Sequence, residues 1–170
     1  MKTLISILIS LLFTGCVSVP EGVDTVKDFE LNRYLGKWYE IARLDHSFER
    51  GLQRVTADYS IRDDGGVKVL NRGFDVSKNK WKEAEGKAYF TGDTKTGLLK
   101  VSFFGPFYGA YNIIELDKDK YQYALVCGPD RSYLWILARG PEPDKKIIEK
   151  LTQKAFSLGF DTSKLIYIDH

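Results

Sequence analysis

Apolar and polar positions alternate with a period of two along most of this chain. In Val55-Thr56-Ala57-Asp58-Tyr59-Ser60-Ile61-Arg62 the odd positions are apolar or aromatic and the even ones polar, the pattern of a strand with one wet face. Leu99, Val101 and Phe103 alternate with Lys100 and Ser102 in the same way, and Tyr133, Trp135, Leu137 and Arg139 share one side of another segment. Turn clusters such as Asp63-Asp64-Gly65-Gly66, Ser77-Lys78-Asn79-Lys80 and Gly128-Pro129-Asp130-Arg131 punctuate these segments at intervals of about ten residues. They predict about eight strands, at 37–47, 54–62, 67–74, 81–90, 98–104, 110–117, 121–127 and 132–139, in an antiparallel barrel or sandwich. After Pro141 the period changes. Ile147, Ile148, Leu151, Ala155 and Leu158 recur at helical spacing, with Asp144 placed to start a helix and Gly159 to end it. Residues 164–168 read as a last short strand, and residues 17–34 show no sustained period and read as a tether.

The fourth strand carries the first hint of function. Ala84, Gly86 and Ala88 share one face, opposite Trp81, Glu83, Glu85, Lys87 and Tyr89. Small residues pointing inward leave space, and a barrel of about eight strands is just wide enough either to be filled by side chains or to hold one small ligand. The alternative is that Gly86 marks a bend or bulge and the alanines face a covering helix.

The first residues change the setting. MKTLISILISLLFTGC has one basic residue, an apolar run from Leu4 to Phe13 and small residues ending at Cys16. The run is too short for a bilayer about 30 Å thick, so residues 1–15 read as a signal peptide. Phe13-Thr14-Gly15-Cys16 resembles the bacterial lipobox, which implies acylation of Cys16 and a membrane-held protein. An ordinary signal peptide cut nearby is the other reading. The order of segments is therefore a signal peptide at 1–15, an acylated N-terminus and tether at 16–34, and one domain at 35–170.

Charge and cysteine content narrow the partners. The 170 residues carry 25 Lys and Arg against 23 Asp and Glu, which excludes a strongly basic nucleic-acid binder. Two cysteines cannot staple a disulfide miniprotein or build a four-thiolate zinc site, and His46 and His170 supply no multi-histidine metal centre. No Gly-x-Ser-x-Gly elbow, Cys-x-x-Cys pair or Gly-rich phosphate or dinucleotide loop is present, so no cofactor and no catalytic residue is predicted.

Gly36-Lys37-Trp38-Tyr39-Glu40-Ile41-Ala42-Arg43 resembles the opening Gly-x-Trp signature of the lipocalins. Leu116-Asp117 and the segment from Tyr121 to Val126 follow, then Arg139, a helix and a final strand, in that family's order. With the lipobox, Ala124-Leu125-Val126-Cys127-Gly128-Pro129-Asp130-Arg131 resembles the bacterial outer-membrane lipocalins, relatives of the apolipoprotein D branch. The resemblance implies an all-β fold, an eight-stranded antiparallel up-and-down barrel with a C-terminal helix packed outside. Gly36, Trp38 and Arg139 are then structural, because barrel closure brings the first and eighth strands together and sets a guanidinium over an indole. The inward lining, from parity and family, is Val55, Ala57, Tyr59, Ala84, Ala88, Val101, Phe103, Tyr111, Ile113, Ala124, Val126, Tyr133 and Trp135. An apolar lining favours an acyl chain, with tyrosine hydroxyls near the mouth to bond a polar head. By resemblance the ligand is a fatty acid or lysophospholipid and the site of action the outer membrane, facing the periplasm. A lipoprotein whose filled barrel serves as a structural or partner-binding module is the competing expectation.

Four further residues or segments carry expectations. Glu40 has the parity of Trp38, so it turns inward toward a tyrosine or is sent to solvent by a bulge. His46 is expected at the surface or the ligand rim, and Cys127 as a small buried apolar residue. The loop Gly105-Pro106-Phe107-Tyr108-Gly109 is expected to pack by default, the other reading being that it offers aromatics to lipid or to a second copy of the chain in a homodimer.

Overall fold

A computed structural model describes residues 17–170; Cys16 and the segment read as a signal peptide lie outside the described residues. The strands are β1 (Gly36–Arg43), β2 (Leu52–Ile61), β3 (Val67–Asp75), β4 (Lys80–Phe90), β5 (Leu98–Phe104), β6 (Phe107–Leu116), β7 (Tyr123–Cys127), β8 (Leu134–Ala138) and β9 (Ile166–Tyr167). Two helices join them, α1 (Leu31–Tyr34) and α2 (Lys145–Ser157). Strands β2 to β8 pair antiparallel in sequence order, and β1 closes the ring by pairing with both β8 and β2. Closure consumes the free edges that an open sheet would expose.

The register assigns the two ends. Gly36 lies opposite Tyr59, so the β2–β3, β4–β5 and β6–β7 turns gather at the end where β1 begins. The β1–β2, β3–β4, β5–β6 and β7–β8 connections gather at the other end. The upper parts of β1 and β2 diverge, and the C-terminal segment fills the seam. There β9 pairs with Ala42 and Arg43, and the Arg54 N–H donates to the Asp169 carbonyl at 2.8 Å.

Two apolar clusters result. One fills the barrel and includes Trp38, Val67, Leu99, Ile113 and Ala124; the other lies between the outer wall and α2, where Leu151 and Ala155 meet Ile41, Leu125 and Ile136. The Asp144 carboxylate caps α2 by accepting from the Lys146 N–H at 2.9 Å. Gly159 follows with φ +84°, a left-handed conformation that suits glycine at a helix end.

The stretch read from sequence as a tether packs. Val23 is buried in the outer cluster, while Phe29 and Tyr34 are buried in the barrel floor. The Val26 N–H donates to the Ile113 carbonyl and the Val26 carbonyl accepts from Gly97, both at 2.9 Å. The segment crosses from one cluster to the other instead of running along either, so its apolar residues never acquire a regular period.

Candidate ligand-binding site

The end where β1 begins is sealed. Trp38 is wholly buried, its indole N–H donates to the Tyr34 carbonyl at 2.7 Å, and the Arg139 guanidinium lies 4.0 Å from the centre of its ring. Arg139 spends its other donors on main-chain carbonyls, at 2.9 Å to Lys37, 2.7 Å to Arg33 and 3.2 Å to Tyr121. One side chain thus ties β1, α1 and the β6–β7 turn together. Gly36 sits beneath it with φ +88°.

Above this plug three tyrosines meet. The Tyr111 hydroxyl lies 2.8 Å from that of Tyr34 and 2.8 Å from that of Tyr59. Burial pushes all three hydroxyls well above their ordinary acidity range, so all stay neutral. Three hydroxyls carry three protons and make two mutual bonds, which leaves one O–H donor unspent. The space beside them, between Phe29, Val67, Ala88, Leu99 and Ile113, amounts to about 20 Å³, room for roughly one water molecule. The deep half of the barrel is a packed core.

The upper half differs. Ala57, Val101, Phe103, Tyr111 and Trp135 pack on the barrel cluster yet keep solvent access, and Tyr133 at the mouth is half-buried. Ala84 alternates with Gly86 and Ala88 and is exposed. Side chains on the inner wall of a closed barrel meet water only if the barrel is open above them. This arrangement is a shallow cup with a tyrosine floor.

One wall of the cup is polar. A bulge in β1 after Glu40 turns both Glu40 and Arg43 to the same side, and Arg43 Nη1 donates to Glu40 Oε1 at 2.7 Å. Arg43 Nη2 also donates to the carbonyls of Glu49 and Leu52, at 2.8 and 3.2 Å. The Trp135 indole donates to Glu49 Oε2 at 3.0 Å, and His46 Nε2 lies 2.9 Å from the same oxygen. Burial, and then the charge of Glu49, push the Glu40 carboxyl well above its ordinary range. Burial pushes Glu49 upward as well, but His46, Trp135 and Arg43 outweigh it and hold that carboxyl low. The network pins the β1–β2 connection against the wall of the cup, with Phe48 stacked on His46 at 3.9 Å.

A lipocalin-like domain model matches residues 29–170. The chain belongs to the lipocalin family. It is 56% identical over 168 residues to outer membrane lipoprotein Blc of Vibrio cholerae, covering 99% of this chain and 98% of that protein. It is 32% identical over 151 residues to apolipoprotein D of Cavia porcellus, covering 84% and 78%. Among solved structures, insecticyanin from the tobacco hornworm superposes with a TM-score of 0.68 at 27% identity, over 90% of this chain and 87% of that one.

Within this lipocalin the predicted lining divides into two groups. Tyr59, Ala88, Ile113, Ala124 and Val126 are buried in the deep core, and Val55 packs with Leu52 and Ile168 at the seam. Ala57, Ala84, Val101, Phe103, Tyr111, Tyr133 and Trp135 face the cup or its rim. Four expectations need correction. Glu40 pairs with Arg43 and not with a tyrosine, because the bulge delivers the guanidinium to its side. His46 is not at the surface but 5% exposed within the polar wall at the rim, since Glu49, Phe48 and Trp135 enclose it. Of the lining tyrosines only Tyr133 lies at the mouth, whereas Tyr59 and Tyr111 join Tyr34 on the floor, because β2 meets Gly36 at the sealed end. Gly86 leaves no void, as a Cβ there would stand 2.8 Å from the Phe103 ring, which occupies that place. Cys127 is fully buried, and burial pushes its thiol up to about 12. Phe107, the first residue of β6, is exposed.

The inward residue that sequence reading passed over is Asn71. It shares the face of Val67 and Val69, and that parity was legible. Arg43 was hidden by the bulge, and Glu49 by lying in a connection that has no period to read.

Proposed function

We propose that this lipocalin is a membrane-anchored lipid carrier of the outer membrane, held by an acylated Cys16 and facing the periplasm, which takes fatty acids or lysophospholipids into its cup. The observation that carries this reading is the unequal burial of the inner wall. The deep half is packed with no more than water-sized space, whereas apolar side chains of the upper half remain open to solvent. An apolar wall in contact with water gains roughly 25 cal/mol for each Å² that an acyl chain covers. The polar network beside it and the unspent tyrosine proton offer partners for an oxygenated head group. The name of the 56% identical Vibrio cholerae protein, an outer membrane lipoprotein, agrees with the lipobox-like Phe13-Thr14-Gly15-Cys16. The carrier binds and releases its ligand without chemistry. Native mass spectrometry of the full delipidated chain, titrated with a fatty acid and with a lysophospholipid, tests it. Saturable one-to-one uptake is expected. Uptake that never saturates, or none, leaves the barrel as an anchored scaffold.

A further inference from the structure

The apolar stretch of the cup wall carries a polar atom that no protein group satisfies. Asn71 lies on the inner face of β3, two residues above Val69 of the barrel core. Its Oδ1 is buried and has no hydrogen-bond partner. The ladder places Ala57 on one side of it and Ala84 on the other, both open to solvent. A single amide therefore stands in a niche walled by methyl groups, on an otherwise apolar stretch of wall. A buried carbonyl oxygen without a partner is costly, and nothing in the packing repays that cost. Asn112 also leaves a buried Oδ1 unpaired, but its Nδ2 donates to the carbonyls of Ser18 and Gly128 at 3.0 Å each and joins the N-terminal segment to the β7–β8 turn. Asn71 joins no elements.

We propose that Asn71 is the selectivity residue of the cup, its amide pairing with a free hydroxyl next to the acyl chain of the bound lipid. The inference rests on the carrier reading and deepens it. The terminal torsion of asparagine is broad, so the amide can present either edge to the cup. A hydroxyl donates to the oxygen edge and accepts from the nitrogen edge, so it satisfies whichever is turned inward. An ionised carboxylate has no proton to give, and an acyl chain that dries the niche while carrying only a carboxylate leaves the amide oxygen unpaired. When its torsion turns the oxygen to the cup, water can serve the amide, and a ligand that displaces that water without reproducing its bonds loses affinity. The favoured class is a single-chain glycerolipid with a free hydroxyl beside its ester.

The test uses the full chain, delipidated in detergent, and three probes of equal acyl length: a 1-acyl lysophospholipid, the same lipid with its free hydroxyl methylated, and the fatty acid. For the unaltered protein the methyl ether should bind roughly ten-fold more weakly than the parent, the cost of one missing hydrogen bond. Asn71→Leu, close in size, should erase that difference and bind the fatty acid more tightly, because no amide oxygen is then left unpaired. A residue that merely shapes the wall would move all three ligands together. Equal affinity for parent and methyl ether in the unaltered protein overturns the proposal, as does a preference that survives in Asn71→Leu. Either result leaves the carrier reading intact, whereas failure of all three probes to bind removes the carrier reading and this inference with it.

Discussion

Arg139→Ala is the perturbation that most sharply separates the plug from the cup. The guanidinium lies 4.0 Å from the Trp38 ring centre, a contact worth about 1–2 kcal/mol between its exposed and desolvated limits. It also donates to three main-chain carbonyls between 2.7 and 3.2 Å, each a charge-assisted bond of about 1.5–3 kcal/mol when fully made. The side chain is only half-buried, so water replaces part of what is lost and the bonds do not add. A net loss of about 3–4 kcal/mol is expected. At about 2–4 °C per kcal/mol for a domain of this size, Tm should fall by roughly 10 °C. Thermal unfolding of the delipidated chain, followed by far-ultraviolet circular dichroism, reads that shift. A lipid titration at 20 °C below the lowered midpoint should return an unchanged Kd, because every Arg139 partner belongs to the sealed end. A Tm drop below about 2 °C, or a weaker Kd at unchanged Tm, would refute the assignment of Arg139 to structure.

Opposite pH signatures are expected from the two acids of the mouth network. Glu40 has a raised carboxyl pKa in the fold, so the folded state holds its proton more tightly, and the stability this contributes is lost as pH rises above the ordinary value of about 4.5. Glu40→Gln keeps the protonated shape, so urea midpoints of variant and parent should coincide near pH 4 and separate in the variant's favour as pH rises; parallel curves would disprove it. Glu49 has a lowered pKa, so its contribution is present at neutral pH and disappears as pH falls through the folded value. Glu49→Gln should accordingly be destabilised near pH 7 and approach the parent in acid. Gly86→Ala places a Cβ 2.8 Å from both the Phe103 ring and the Ser102 carbonyl and should cost about 1–3 kcal/mol. Shortening Phe103 as well should recover only part of that, since the carbonyl remains; full recovery in the double variant would show that the ring alone sets the limit.

Alternation, turn spacing and the late helical period placed all eight barrel strands, α2 and the final strand in the sequence, because these are local properties of a backbone with one wet and one dry face. The Gly-x-Trp opening and Arg139 were legible for the same reason, as they sit at element ends marked by their own residues. Parity also told which residues of an unbroken strand share a face. It was silent on depth. Whether an inward residue lies in packed core or open cup depends on how far each strand has climbed when it passes its neighbours, and that follows from register around the closed ring. Tyr59 and Tyr111 therefore reached the floor, Phe103 filled the place of Gly86, and the bulge after Glu40 carried Arg43 inside. The polar wall joins residues from β1, the β1–β2 connection and β8, separated by up to 95 positions from Glu40 to Trp135, and only barrel closure makes them neighbours.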